Sequence, residues 1–230
     1  EICKMHNIKI DGSIFMKTTK EVGQIIEVCE KHNIKPGGNV FLKSSEEIEK
    51  IVQICKKYNV DISNSIFRST SDELQKIIKV CNENGINISG KVFFRKAEEI
   101  EEIVKLCNKN DIEIASAIFL RKPGEIQENI EFLKSNYGEE YLKATILACK
   151  LEHLKSVFEY LDSLEVLPVV IDCTTILKLT VDEIKERKEY IDKIGEDILT
   201  GYSTFNPIFN MTKDKFQQKL KSLNINNQKK

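Results

Sequence analysis

The sequence predicts an all-α fold, a right-handed solenoid of about eight stacked two-helix repeats. Two observations carry this prediction: residue types recur every 26 residues, and each repeat has the apolar spacing of an amphipathic helix. A fixed period in this range is typical of proteins whose units pack only against their neighbours. The main columns are Cys3, Cys29, Cys55, Cys81 and Cys107, and Phe15, Phe41, Phe67, Phe93 and Phe119, each Phe following Ile or Val.

The first element of each repeat is predicted to be an α-helix of about 14 residues. In one copy the apolar residues fall at i, i+3, i+4 and i+7, one stripe of a helix: Ile48, Ile51, Val52 and Cys55. Ser45 precedes two glutamates, an arrangement that caps a helix and complements its dipole. We expect this helix to end near Asn59, and its counterparts near Gly85 and Asp111, because these residue types tolerate a left-handed conformation.

The second element is either a short strand or a short helix. The alternation in "VDISN" suits a strand, which would give a helix–strand solenoid. A loop followed by a short helix ending at the Ile/Val–Phe pair is the other reading. Spacings between these pairs grow from 26 to 28, 30 and 32 residues along the chain, and a helix lengthens gradually more easily than a strand. We therefore favour helix–helix units, with proper second helices at 139–147 and 196–209.

The repeats are predicted to form one domain over residues 1–223. Residues 1–132 hold regular repeats, 133–223 hold longer, divergent ones, and 224–230 form a polar tail. The later units are recognised by an apolar residue followed eight residues on by another: Ile118 and Ile126, Ile146 and Leu154, Ile176 and Ile184, Ile208 and Phe216. Residues 1–7 resemble the end of a helix, so we expect further repeats upstream.

The cysteine column indicates packing rather than chemistry. Stacked helices lie roughly 8–10 Å apart, too far for a ladder of single cysteines to form disulfides or converge on zinc. We therefore expect the cysteines to be small apolar core residues in a reducing intracellular compartment, the cytoplasm.

No catalytic or ligand-binding motif stands out in the sequence. The three histidines and the paired acids do not form a nucleophile–base or metal-ligand pattern, and no glycine-rich phosphate loop is present. We expect a non-enzymatic protein with no cofactor and no metal. No apolar run is long enough to span a membrane, so no membrane partner is expected.

One pattern differs from the neutral background of 35 basic and 36 acidic residues. The three residues after each Ile/Val–Phe pair, or after the matching pair in later units, include nine basic residues and no acidic one. In stacked repeats these would form one line, which we call the basic ridge. Its members are Lys17, Lys43, Arg68, Arg95, Lys96, Arg121, Lys122, Lys150 and Lys178.

A basic ridge interleaved with Ser and Thr is able to follow a phosphate backbone. The alternative is structural: these cations complement the end of the second helix or pair with the acids that start the next one.

The C-terminal part of the chain resembles the mitochondrial transcription termination factor family. The resemblance lies in Pro207, Ile208 and Phe209 followed by Thr212 and Phe216, and in the stretch 118–138. It implies stacked two-helix repeats that bind nucleic acid in organelles.

The expected function is therefore binding of RNA or DNA along the basic ridge. The alternatives are a protein–protein interaction scaffold, or an accessory arm of a larger protein.

Overall fold

The computed structural model describes residues 12–200 and 204–227, with side chains to 222, and its regular structure is almost entirely helical. The all-α prediction is confirmed at this level. The α-helices of the described residues are α1 (Thr19–Lys31), α2 (Ser45–Tyr58), α3 (Ser71–Glu83), α4 (Ala97–Lys109), α5 (Pro123–Asn136), α6 (Ala144–Leu147), α7 (Leu151–Ser163), α8 (Val181–Ile194) and α9 (Lys213–Asn227).

The long helices follow the amphipathic prediction closely. Helix α2 has 14 residues and buries Ile48, Ile51, Val52 and Cys55 as expected. The residues that end the early helices adopt left-handed conformations, with φ of 52° at Asn59, 64° at Gly85 and 53° at Asp111. The cap prediction is wrong by one residue, because Ser44 rather than Ser45 accepts the N–H of Glu47.

The repeated columns form the buried face of the repeats. Cys29, Cys55, Cys81 and Cys107 are all buried, whereas Cys3 lies outside the described residues. In the Phe column, Phe41, Phe67, Phe93 and Phe119 are buried, but the Phe15 side chain is 80% exposed. Each apolar pair that defines a later unit is buried as well: Ile118 and Ile126, Ile146 and Leu154, Ile176 and Ile184, Ile208 and Phe216.

The second element of the early repeats is neither a strand nor a helix of several turns. It is one 3-10 turn that begins after an extended loop and buries the Ile/Val–Phe pair. Loop residues such as Pro36, Gly37 and Asn64 favour turns over regular structure. The 3-10 turns of the described residues span Ile14–Met16, Gly38–Leu42, Ile66–Arg68, Val92–Phe94, Ser116–Leu120, Glu139–Tyr141, Leu167–Ile171, Thr174–Lys178 and Pro207–Asn210.

The two longer second helices are confirmed only in part. Within residues 139–147 the structure has a 3-10 turn and α6, which are separated by the non-helical Leu142 and Lys143. The helix predicted over 196–209 is wrong. Strands β1 (Leu199–Thr200) and β2 (Thr204–Phe205) form an antiparallel hairpin there. The hydroxyls of Thr200 and Thr204 lie 2.9 Å apart across it, and such cross-strand threonine pairs stabilise antiparallel strands.

The chain divides into two compact units, residues 1–124 and 125–230. In the first unit each helix from α1 to α4 packs against the next, and the 3-10 turns from Gly38–Leu42 to Ser116–Leu120 contact one another in succession. In the second unit α7 packs on α8, and α8 packs on the turn Pro207–Asn210. None of the helices in the described residues combines the length and the apolar character needed to cross a lipid bilayer.

Candidate interaction surface on the turn edge

The 3-10 turns of the first unit and the three residues that follow each Phe form one surface, which we call the turn edge. Successive turns are joined along it by side chain–backbone hydrogen bonds. Ser13 Oγ donates to the carbonyl of Gly38 at 3.2 Å, and Asn39 Nδ2 donates to the carbonyl of Asn64 at 3.2 Å. The three residues after each Phe are 16–18, 42–44, 68–70, 94–96 and 120–122.

The structure separates the nine residues of the basic ridge into two groups by exposure. Seven lie on the turn edge of the first unit, while Lys150 and Lys178 lie at the matching positions of the second unit. The exposed group is Arg68, Lys96, Lys122, Lys150 and Lys178. The half-buried group is Lys17, Lys43, Arg95 and Arg121.

Arg95 has a structural role. Its guanidinium Nε donates to the carbonyl oxygens of Phe119 at 3.1 Å and Arg121 at 3.0 Å. Nη2 donates to the carbonyl of Leu120 at 3.1 Å, and the side chain is only 14% exposed. Arg95 therefore holds the end of the next 3-10 turn, a fixed geometry that suits the planar donor fork of arginine.

Two other half-buried members have local explanations. Lys17 Nζ lies 4.0 Å from the carboxylate of Glu21, in the first turn of α1. Burial lowers the pKa of Lys43, although the nearby Glu47 carboxylate opposes this shift. For Lys17 in particular, pairing with the acid that starts the following helix accounts for its position.

The Ser and Thr residues interleaved with the ridge act as helix caps. Ser44 Oγ and Thr70 Oγ1 each accept the N–H of the residue three positions later, both at 3.2 Å. Thr18 and Thr180 form complete capping boxes with Glu21 and Glu183. These hydroxyl oxygens satisfy backbone donors at the helix starts, so helix capping accounts for their recurrence in this column.

Three consecutive repeats replace the capping Ser or Thr by lysine. Lys96 and Lys150 occupy the N-cap positions of α4 and α7, and Lys122 directly precedes α5. Lysine has no acceptor with which to cap a backbone N–H, and a cation is unfavourable beside the positive end of the helix dipole. Helix capping does not explain these exposed lysines, so they are the strongest ridge candidates for binding.

A row of exposed apolar side chains runs beside the cations, and sequence reasoning missed it except at Phe94. Each side chain directly follows the Phe of its turn, which is buried in every case except Phe15. The exposed fractions are 80% for Met16, 54% for Leu42, 43% for Phe94 and 40% for Leu120. We call these four residues the apolar row. The sequence does contain a sign of this row, which is a second large apolar residue directly after a Phe that is already assigned to the core.

Arg68 occupies the third of the five positions in this column, between Leu42 and Phe94. Its guanidinium carbon lies 4.4 Å from the centroid of the Phe94 ring, a cation–π contact between neighbouring turns. A cleft of about 540 Å³ lies here, lined by Arg68, Phe94 and Lys96 and also by the acids Glu73, Glu98 and Glu99. The turn edge therefore presents an apolar line interrupted by one cation at its middle.

The second unit has a cleft at the matching position. It measures about 390 Å³ and lies between the turns Thr174–Lys178 and Pro207–Asn210. The positions matching the apolar row are not large apolar residues in this unit: Ala148, Lys178 and Asn210. The combination of apolar row and cations thus belongs to the first unit.

Buried polar side chains of the second unit repeat the structural role of Arg95. Arg187 Nη1 donates to the carbonyls of Ile208 at 2.6 Å and Met211 at 3.0 Å, and burial lowers its pKa. Asn129 Nδ2 donates to the carbonyls of Leu147 and Cys149, both at 2.9 Å. These side chains satisfy carbonyl oxygens at the ends of neighbouring turns, as Arg95 does in the first unit.

The column cysteines are poor candidates for chemistry. Burial raises the pKa of each of the Cys29, Cys55, Cys81 and Cys107 thiols to about 11. Such a thiol is almost entirely protonated near neutral pH, whereas the deprotonated thiolate is the reactive form. In the described part of the chain, no three His, Cys, Asp or Glu side chains group together as metal ligands.

Comparison of the chain with known protein families, with curated proteins and with solved structures finds no match.

Proposed function

We propose that the chain is a non-catalytic helical-repeat scaffold that binds a partner protein along the turn edge of its first unit. In this proposal the repeats continue as a solenoid, and residues of one sequence column form one line on its surface. The observation that carries the proposal is the apolar row, which lies beside exposed cations on turns that contact one another.

The apolar row favours a protein partner because large exposed apolar side chains gathered in one patch mark interaction sites. Protein interfaces typically combine aromatic residues, methionine and arginine, all of which this edge carries. Met16, Leu42 and Leu120 offer no aromatic face for stacking with bases.

The charges around the row favour the same conclusion. First-turn acids border the cations, and three of them line the cleft between Arg68 and Phe94. A continuous phosphate backbone would meet these carboxylates with no apolar contact to offset the repulsion, whereas a protein segment also supplies apolar side chains for the row.

The proposal is tested by panning a phage-displayed library of random peptides on the whole chain. We expect clones whose binding is lost in the double variant L42S/L120S and kept in Y58S, because Tyr58 is also 41% exposed but lies at the end of α2. Enrichment that is equal on the double variant and the wild type, or no enrichment at all, would overturn the proposal.

Nucleic-acid binding is the second candidate, favoured by the lysines that replace helix caps at Lys96, Lys122 and Lys150. The resemblance to the mitochondrial transcription termination factor family points the same way. On this hypothesis, mixed-sequence single-stranded RNA or DNA binds at 50 mM salt and is largely released at 200 mM, since each phosphate contact releases counterions.

The matched variants for this candidate are K96E/K122E and, as control, K76E/K105E, whose lysines are exposed on helix surfaces. Loss of nucleic-acid binding in the first pair alone supports the candidate. Arg95 is unsuitable as a test residue, because its removal disturbs the next turn. If neither RNA nor DNA binds the chain at 50 mM salt, the nucleic-acid candidate is rejected.

A further inference from the structure

We infer that the partner on the turn edge is an acidic segment in the polyproline II conformation, with an apolar residue at every third position and an acid at the central one. This inference rests on the proposed protein-binding function and specifies its ligand. It follows from the spacing, the order and the charge of the side chains on the edge.

The spacing of the edge selects the conformation of the partner. Helices that pack together lie roughly 8–10 Å apart, and the turns from Gly38–Leu42 to Ser116–Leu120 contact one another in the same order as their helices. A polyproline II helix has three residues per turn and rises roughly 9 Å in those three residues. Its every third side chain therefore faces the same way and meets the next turn of the scaffold.

A β-strand and an α-helix fit this row less well. Alternate side chains of a strand point to opposite faces, so every third residue would face alternately toward and away from the row. An α-helix needs about six residues to advance by one repeat, and its diameter of roughly 10 Å brings it against the bordering acids Glu98 and Glu99. A narrow polyproline II segment contacts a line that is one side chain wide.

The order of residues on the edge sets the register. The column reads Met16, Leu42, Arg68, Phe94 and Leu120 along the first unit. Four positions therefore receive apolar side chains, and the central one presents a guanidinium held over an aromatic ring at 4.4 Å. An acid at the central position of the partner pairs with Arg68, and an apolar residue there would leave the arginine without a charged partner.

The charge of the partner follows from the rest of the edge. The exposed Lys96 and Lys122 lie two residues after the apolar row in their turns. Acids between the apolar positions of the partner complement these lysines and accelerate its association electrostatically. Proline among these intervening residues lowers the ordering cost by favouring the bound conformation in advance.

The test uses a fluorescein-labelled peptide of thirteen residues. It carries leucine at the first, fourth, tenth and thirteenth positions and glutamate at the seventh, with a proline–glutamate pair in each of the first two intervals and a glutamate–proline pair in each of the last two. This pattern reads the same in both chain directions, so the orientation of binding does not affect the result. Fluorescence polarisation with the whole chain measures the dissociation constant.

Four binding results are expected. Replacing the central glutamate by lysine weakens binding to the wild type by about tenfold, or about 1.4 kcal/mol. The variant R68E binds the glutamate peptide weakly and the lysine peptide as tightly as the wild type binds the original, since the charge pair is restored. K105E, an exposed helix lysine, leaves the affinity unchanged. A peptide of the same composition with adjacent leucines binds at least about tenfold more weakly.

The contradicting results separate this inference from the proposed function. Equal affinity for the ordered and shuffled peptides, with both lost in L42S/L120S, overturns the third-residue pattern but keeps the turn edge as a protein-binding surface. If R68E does not bind the lysine peptide with the affinity of the wild-type pair, the proposed register of the partner on the edge is wrong. Affinity that L42S/L120S leaves unchanged overturns the inference together with the proposed function.

Discussion

At the scale of single residues, the basic ridge contains side chains with different roles. Arg95 reaches across to three carbonyl oxygens of the next turn, whereas Lys96, its neighbour in sequence, is exposed. The sequence places both in one basic window and offers no means to distinguish them, because the difference arises from the direction of each side chain in the folded repeat. Exposure divides the ridge into scaffold residues and binding candidates.

This difference predicts unequal effects on stability. R95A leaves backbone carbonyls without their donor, so we expect a loss of about 1–3 kcal/mol in the free energy of unfolding. K96A removes an exposed side chain and is expected to change stability by less than about 0.5 kcal/mol. Urea unfolding followed by circular dichroism measures both, and equal effects of the two substitutions would contradict the structural role of Arg95.

The cysteine column predicts a pattern of thiol reactivity. The thiols of Cys29, Cys55, Cys81 and Cys107 have pKa values raised to about 11 by burial, so at pH 8 they remain protonated and shielded. Cys149 and Cys173 are half-buried and are expected to react first with a maleimide. Mass spectrometry of the labelled peptides identifies the order, and labelling of the column cysteines in the native protein would show that the column is not core.

At the scale of elements, the sequence predicts the long helices well, because spacing, caps and left-handed ends agree with one another. The hydrophobic stripe of α2 and the exit at Asn59 are examples. The second elements are less predictable because three to five residues are too few for a period to establish itself. The hairpin of Thr200 and Thr204 replaces a predicted helix for the same reason, since a few cross-strand contacts decide it.

First-turn acids also link neighbouring repeats, which the sequence suggests only as local capping. The Glu47 carboxylate accepts the N–H of Ser71 and its hydroxyl, and Glu73 accepts the N–H of Ala97 at 2.7 Å. Each acid thus reaches the start of the next helix, 24 residues further along the chain. A distant partner of this kind becomes visible only when the repeats are packed.

The capping box of α8 predicts how stability depends on pH. Hydrogen bonds from the backbone and side chain of Thr180, together with the nearby Lys213, hold the pKa of Glu183 below its ordinary value of 4.5. The folded state therefore favours the ionised form. The resulting contribution to the free energy of unfolding is fully present above about pH 4.5. It is lost as the pH falls through the lowered native pKa of Glu183.

The measurement is the melting temperature of the wild type and E183Q between pH 7 and pH 3. We expect the wild type to be more stable at neutral pH and the difference to shrink below about pH 4.5, because only the wild type loses its charge there. E189Q removes a negative charge from the exposed face of the same helix and controls for net charge. A difference between wild type and E183Q that does not vary with pH would contradict the account.

At the scale of the whole molecule, the 26-residue period predicts the helical class and the buried columns of the described residues. It does not predict that the chain divides near Gly124 into two compact units, or that the exposed apolar row belongs to the first of them. Periodicity reports which residues face the core, whereas an interaction surface depends on which residues the periodic pattern leaves outside. The proposed partner protein is therefore argued from exposure and charge, and not from the repeat itself.

The alignment of one sequence column along the turn edge is the claim on which both proposals depend. Distances between nitroxide labels measured by double electron–electron resonance test it most directly, with label pairs at residues 42 and 94, 16 and 94, and 16 and 120. Cys3, Cys149 and Cys173 are replaced by serine so that the labels attach only at the introduced positions. We expect the distance to increase by roughly 8–10 Å for each additional repeat between the labels, whereas a distance that does not grow with the number of repeats would contradict the account.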